Sequence, residues 1–182
     1  MSIHFSSVTN EWHTPQDLFD SLNKQFRFTL DPCSNDTNAK CERHYTQADD
    51  GLSKSWAGET VFMNPSYGRE IGKWVEKAYQ ESLQSGTVVV CLIPARTDTK
   101  YWHDYVMKAH YVHFVKGRVK FGGGLKTNAH TPGAPFPSAV VVFGKSVPNI
   151  ACAGQGFRPD CQRVLPADVP DGDGVLPEPP RQ

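Results

Sequence analysis

No run of 18 apolar residues occurs in the chain, so no helix long enough to cross a membrane is expected. Met1–Glu11 is polar and lacks the apolar stretch of a secretory leader, and residues 1–10 are expected to form a flexible N-terminus. Excess charge is also missing: 19 Lys+Arg face 19 Asp+Glu among 182 residues. That excludes a protein that coats nucleic acid by bulk charge, while leaving room for a local basic patch. Cysteine is sparse and odd in number, five residues at 33, 41, 91, 152 and 161. Such scatter argues against a disulfide framework and for a reducing cytoplasm. Cys33, Cys41 and His44 match no common zinc spacing, so no metal is expected. Large aliphatic residues thin out after residue 145, where Pro and Gly become frequent. Residues 146–182 are therefore expected to be an extended or disordered tail, too poor in apolar surface to offset the entropy of ordering. The chain shows no internal repeat.

Residues 11–145 hold an alternation of helix-like and strand-like runs. Thr14-Pro15-Gln16-Asp17 resembles a helix start, with Leu18, Phe19 and Leu22 as its apolar stripe. Phe26–Leu30 predicts a strand that ends at Asp31-Pro32, and Thr60–Met63 predicts another that ends at Asn64-Pro65. The clearest helix follows, because Ile71, Trp74, Val75, Ala78, Tyr79, Ser82 and Leu83 share one face. Thr87–Ile93 is uniformly apolar and β-branched, as in a strand covered on both faces of a sheet. Trp102, Tyr105, Val106 and Ala109 predict a second amphipathic helix. Residues 111–115, 118–121 and 139–143 predict three more strands. The order implies an α/β sheet with a possible antiparallel pair near its C-terminal end.

Ligands of open α/β sheets bind beyond the carboxyl ends of the strands. Asp31–Asn35, Asn64–Tyr67 and Pro94-Ala95-Arg96 fall there, and parallel neighbours would bring them to one rim. Asn64-Pro65-Ser66-Tyr67 could be an ordinary turn. Its place between a buried strand and an amphipathic helix points instead to chemistry on an exocyclic amine. Such an –NH2 is a poor nucleophile because its lone pair is delocalised. An amide oxygen and a backbone carbonyl that accept its two N–H groups would aim that lone pair at an electrophile. Pro65 would fix the backbone that carries the carbonyl, and Tyr67 offers a flat face to an extruded base.

This tetrapeptide resembles the (Asn/Asp/Ser)-Pro-Pro-(Tyr/Phe) motif of S-adenosylmethionine-dependent amino-methyltransferases. The body as a whole resembles the phage Dam-type DNA N6-adenine methyltransferases. The likeness runs in order through Glu11–Pro15, Leu30–Ser34, Asn38–Cys41, Asp50–Leu52 with Trp56, Asn64–Tyr67, Lys73–Val75, Leu92–Thr99, Gly117–Phe121 and Ala134–Ser138. It implies a Rossmann-like class I methyltransferase domain over residues 11–145, with a mostly parallel sheet and an antiparallel C-terminal strand. It also implies S-adenosylmethionine as cofactor, N6 of adenine in DNA as acceptor, and a phage or prophage protein of the bacterial cytoplasm. The same chemistry on cytosine N4, RNA adenine or a protein glutamine, or a non-catalytic DNA-binding protein on this fold, stays compatible with the motif.

By this resemblance Asn64, Pro65, Ser66 and Tyr67 form the catalytic loop. Trp12, Thr14 and Pro15 match the segment that meets the methionine end of the cofactor, and Asp31 matches the cofactor-binding acid, followed by Cys33. Asp49 or Asp50 would hold the adenine side, with Asn64 also beside the cofactor. Ser66 stands where the family usually has Pro, and no glycine follows Asp31. Only 33 positions separate Asp31 from Asn64, whereas one βαβ unit alone takes about 30 residues, so the fold would be compressed. Glu42 is the candidate for the acid that grips the cofactor ribose. Arg96, Lys100, Lys116, Arg118, Lys120 and Lys126 are candidates for DNA phosphate contact, with edge-strand protection as the plainer role of the lysines. Trp74 and Trp102 read as core, while Trp12 and Trp56 stay open between core and site.

Overall fold

The computed structural model describes residues 12–122, 133–145 and 147. Helix α1 runs Gln16–Phe26, strand β1 Thr60–Met63, helix α2 Ile71–Ser82 and strand β2 Val88–Pro94. Helix α3 (Lys100–Asp104) and a single 3-10 turn (Val106–Lys108) lead to strand β3, Tyr111–Phe114, and strand β4 is Ser138–Phe143. The sheet order is β1-β2-β4-β3. β1 and β2 are parallel, with Met63 opposite Cys91, and β4 runs antiparallel to both β2 and β3. Two single bridges continue the sheet beyond β1: Leu30 pairs in parallel with Val61, and Asp31 in parallel with His44. The result is a mixed α/β sheet in which β4 runs opposite to β1, β2, β3 and the segments bridged at Leu30, Asp31 and His44.

Burial explains these positions. Every residue of β2 and of β4 is buried, which suits the two central strands. α2 buries Ile71, Val75 and Ala78 at helical spacing, as its sequence predicts. α1 buries Phe19, Leu22 and Phe26. It starts one residue later than the Thr14-Pro15 signal implies, because Pro15 is extended (ψ 139°) and caps the helix from outside.

Three expectations are corrected. Phe26–Leu30 is not a strand: Phe26 is the last buried residue of α1, and Arg27 ends the helix in the left-handed region (φ 56°). Only Thr29 and Leu30 then reach the sheet, through N–H bonds to the Thr60 carbonyl. The helix expected around Trp102 to Ala109 breaks at Tyr105, whose φ of −128° is not helical. Residues 118–121 form no strand. Val119 and Phe121 turn inward, Arg118 and Lys120 outward, and the segment is held by a bond from Ala134 N–H to Val119 O. The proposed tail, residue 147 excepted, and residues 1–10 lie outside the described residues.

Candidate active site

A cleft of about 530 Å³ opens at the carboxyl ends of the 30–31 segment and β1. That size suits a ligand of a few tens of heavy atoms. Asp31–Asn35 and Asn64–Ser66 both line it, joined by Trp12–Thr14 from before α1. The third predicted rim segment does not: Arg96 is exposed and is not part of the cleft wall.

Asn64 is held at both ends of its amide. Its Nδ2 donates to the Trp12 carbonyl (2.6 Å) and to Thr14 Oγ1 (2.9 Å), while its Oδ1 accepts from the Tyr67 hydroxyl (2.7 Å). The same hydroxyl lies 3.2 Å from the Leu92 carbonyl. The Asn64 backbone N–H is turned to the Cys33 sulfur. Tyr67 is 5% exposed, so its face is not open to solvent. Its ring lies nearly parallel to Trp12 (centroids 6.4 Å apart, 19°), and Phe121 and Phe136 meet it edge-on at 5.9 and 5.4 Å. Phe121 and Phe136 also stand edge-on to Trp12, so the four rings close on one another. Two main-chain bonds between His13 and Gly122, 3.1 and 2.9 Å, tie the 12–14 strap to the 118–122 segment. The Tyr67 hydroxyl holds Asn64, a role separate from the flat face that the motif offers.

Asp31 is 4% exposed. Its carboxylate accepts from the Lys40 N–H (3.0 Å) and, more weakly, from the Cys33 N–H (3.4 Å). Burial nevertheless outweighs these bonds and raises its pKa above the ordinary 3.8. Burial, then the charge of Asp31, also pushes the Cys33 thiol well up, and burial pushes Cys41 up to about 12.

The far wall was only partly legible. Gly51 and Trp74 line the cleft, and Trp74 lies nearly parallel to the buried Trp56 at 6.3 Å. Trp56 Nε1 donates to the Gly51 carbonyl (3.0 Å), and its N–H donates to the buried Glu81 carboxylate (2.7 Å), which also pairs with Lys77. This places Trp56 in the core, and Trp74, which packs against the core as its helix face implies, also lines the cleft. Asp50 lines the cleft with φ 52°, but Asp49 is exposed and spends its carboxylate on the Thr46 N–H and hydroxyl. Those bonds hold the Asp49 carboxyl below its usual range. Glu42 is exposed and outside the cleft. Thr46 and Gln47, which follow the 43–45 segment, face the cleft instead. Pro15 is half-buried and outside the lining.

Among the candidate DNA contacts, Arg96, Lys100, Lys116, Arg118 and Lys120 are exposed, and Lys100 is paired with Asp104. Lys126 lies outside the described residues. Among the described residues no group of three or more His, Cys, Asp and Glu side chains is placed to hold a metal ion, and no helix is long and apolar enough to cross a membrane.

The cleft at the carboxyl edge of this mixed α/β sheet is thus walled by an oriented amide on an Asn-Pro loop. The family model for DNA N-6-adenine-methyltransferase (Dam) matches residues 2–151. The chain belongs to that family, and so is a DNA N-6-adenine methyltransferase. It is 27% identical over 140 residues to a DNA N-6-adenine-methyltransferase of Haemophilus phage HP1, covering 75% of this chain and 80% of that protein. It is 28% identical over 98 residues to the enzyme of the same name from Escherichia phage T1, covering 53% of this chain and 40% of that one.

Proposed function

We propose that the chain transfers a methyl group from S-adenosylmethionine to the N6 amine of adenine in DNA, with Asn64 and the Pro65 carbonyl accepting the two N–H groups of that amine. The observation that carries this is the fixed Asn64 amide on the cleft wall. Its oxygen has two lone pairs, one engaged by Tyr67 and one left for the amine. The Leu92 carbonyl gives the Tyr67 hydroxyl a second acceptor when the amine arrives. As the amine nitrogen takes the methyl group it becomes positive, and Asn64 Oδ1 and the Pro65 carbonyl stabilise that charge until a proton leaves to water. Presenting the Tyr67 face to an extruded base requires the ring cluster to open on the side of Trp12 or Phe136.

The residues present fit the cofactor. Ser34 Oγ is buried on the cleft wall without a hydrogen-bond partner, as expected of a group that meets a ligand. Asp31 supplies a carboxylate for a cationic ligand, and Trp74 and Gly51 supply a flat, close wall for a nucleobase. Thr46, Gln47 or Asp50 would take the ribose hydroxyls in place of Glu42. Bound there, the cofactor supplies an electrophilic methyl group on a sulfonium. In the same reading the sheet is a shortened class I methyltransferase sheet, with the 43–45 and 30–31 segments as its outer parallel members. Residues 11–145 form its domain, and Lys116, Arg118 and Lys120 approach DNA phosphates next to the Phe121 that packs on Tyr67. The work would be done in a bacterial cytoplasm, in a phage or prophage setting.

The deciding experiment supplies DNA and methyl-labelled S-adenosylmethionine, then digests the DNA to nucleosides. Label in N6-methyl-2′-deoxyadenosine is the expected result. Label in N4-methyl-2′-deoxycytidine, or transfer to RNA or to a protein glutamine in parallel reactions that supply those in place of DNA, would move the reaction to another amine, and no transfer to any of them would leave a DNA-binding protein.

A pH dependence follows from Asp31. A raised pKa means that the folded chain holds this proton more readily than the unfolded chain. Its contribution to stability is therefore full below pH 3.8 and is lost as the pH rises through the raised value. Cofactor affinity has the opposite sense. It falls as the pH drops through the raised pKa, because the carboxylate that faces the cation is neutralised. Calorimetric titrations across mildly acid pH should show this limb, and Asp31→Asn should bind more weakly and flatten it.

A further inference from the structure

Asn64 is steered from fifty residues away. The atom of its amide that lies 2.6 Å from the Trp12 carbonyl must be a donor, because a carbonyl oxygen only accepts. That contact fixes which end of the amide is nitrogen. The second N–H of the same nitrogen goes to Thr14 Oγ1 at 2.9 Å. With both N–H groups satisfied, the amide cannot turn over without losing two bonds at once. Thr14 itself is 5% exposed, between the His13–Gly122 bridge on one side and the Pro15 cap of α1 on the other. Its hydroxyl therefore reaches Asn64 from a backbone anchored at both flanks.

We propose that Thr14 is a positioning residue for methyl transfer, acting through Asn64 and not by gripping the cofactor. This rests on the reading of Asn64 as the acceptor of the target amine. Without an acceptor at position 14 the Asn64 amide keeps the Trp12 carbonyl on its nitrogen and the Tyr67 hydroxyl on its oxygen, but one buried N–H is left unpaired, and the amide swings about the two remaining bonds into directions in which its oxygen misses the amine. Such a loss appears in the rate of the bound complex and not in ground-state affinity.

Thr14→Val keeps the shape and removes the acceptor; Thr14→Ser keeps the acceptor. Thr14→Val should lower kcat about tenfold, the order expected when a buried N–H loses its partner. KM for DNA and the dissociation constant for S-adenosylmethionine should stay within about twofold. Thr14→Ser should restore most of kcat. A Thr14→Val enzyme that keeps its kcat but binds the cofactor more weakly would overturn the proposal and return Thr14 to the cofactor site. An unchanged kcat with unchanged affinity would overturn it as well. If Thr14→Val does not fold, Thr14→Ser and Thr14→Cys decide. The rate must follow the acceptor strength of the atom, high for the hydroxyl and low for the thiol, and equal rates would refute the assignment. Retained turnover in Asn64→Ala would instead sink the reading of the catalytic loop itself, so the two failures are told apart.

Discussion

Asn64→Ala is expected to lower methyl transfer by about 10²–10³, the usual loss for one group that stabilises developing charge, with cofactor affinity nearly unchanged. The reason is where the charge appears. The target amine is neutral when it binds and positive after it takes the methyl group, so an acceptor at its N–H is strengthened in the transition state. Steady-state kinetics with a separate binding titration check this, and near-normal turnover would place the chemistry elsewhere. Asn64→Asp should fail for a different reason. The resembling motif admits Asp at this place, but here the side chain meets the Trp12 carbonyl at 2.6 Å and needs a donor there. A carboxylate would repel that carbonyl and turn away.

The second large effect is expected at Gly51. A Cβ at this residue would lie 2.0 Å from the Pro32 carbonyl oxygen and 3.3 Å from Trp74 Cη2. The first contact is with backbone, so no rotamer change relieves it. Gly51→Ala must push apart the segment that carries Asp31 and Cys33 and the loop pinned by Trp56. Overpacking of this kind costs about 3 kcal/mol. In a chain of this size that corresponds to a melting point lower by roughly 6–12 °C. Thermal denaturation with and without S-adenosylmethionine reads both consequences: the lower midpoint, and loss of the rise that the cofactor gives the parent protein. A midpoint within about 2 °C of the parent would show that the two backbones are not in close contact.

What could be read in advance was what depends on local pattern. α2, β1, β2 and β4 announce themselves by period or by unbroken apolar runs, and Asn64 by its tetrapeptide between a strand and a helix. The 43–45 segment did not, because Arg43, His44 and Tyr45 carry no apolar alternation. They join the sheet through the main chain, Tyr45 N–H bonding to the Asp31 carbonyl. Glu42, the candidate for the ribose contact, lies outside the cleft, whereas Thr46 and Gln47, just after the segment, line it. Phe26–Leu30 misled for another reason: its two phenylalanines alternate as in a strand, but the first belongs to the helix core. Thr14 was visible as a motif residue, yet its bond to Asn64 spans 50 positions, and no spacing rule connects them. Trp74 sits on an apolar helix stripe whose edge happens to face the cleft.

The strap that carries Trp12 and Thr14 also sets a condition on when activity can begin during synthesis. Trp12 leaves the ribosome before the Asn64–Tyr67 loop, but its ring rests on Phe121 and Phe136, and its neighbour His13 is bridged to Gly122. The clamp on Asn64 is thus completed by residues made after most of the sheet. A nascent chain that stops short of Phe136 contains the whole Asn-Pro-Ser-Tyr loop but lacks the support that orients it. Such a chain also lacks β4, one of the two central strands, so an N-terminal piece that ends before Phe136 is expected to show no methyl transfer.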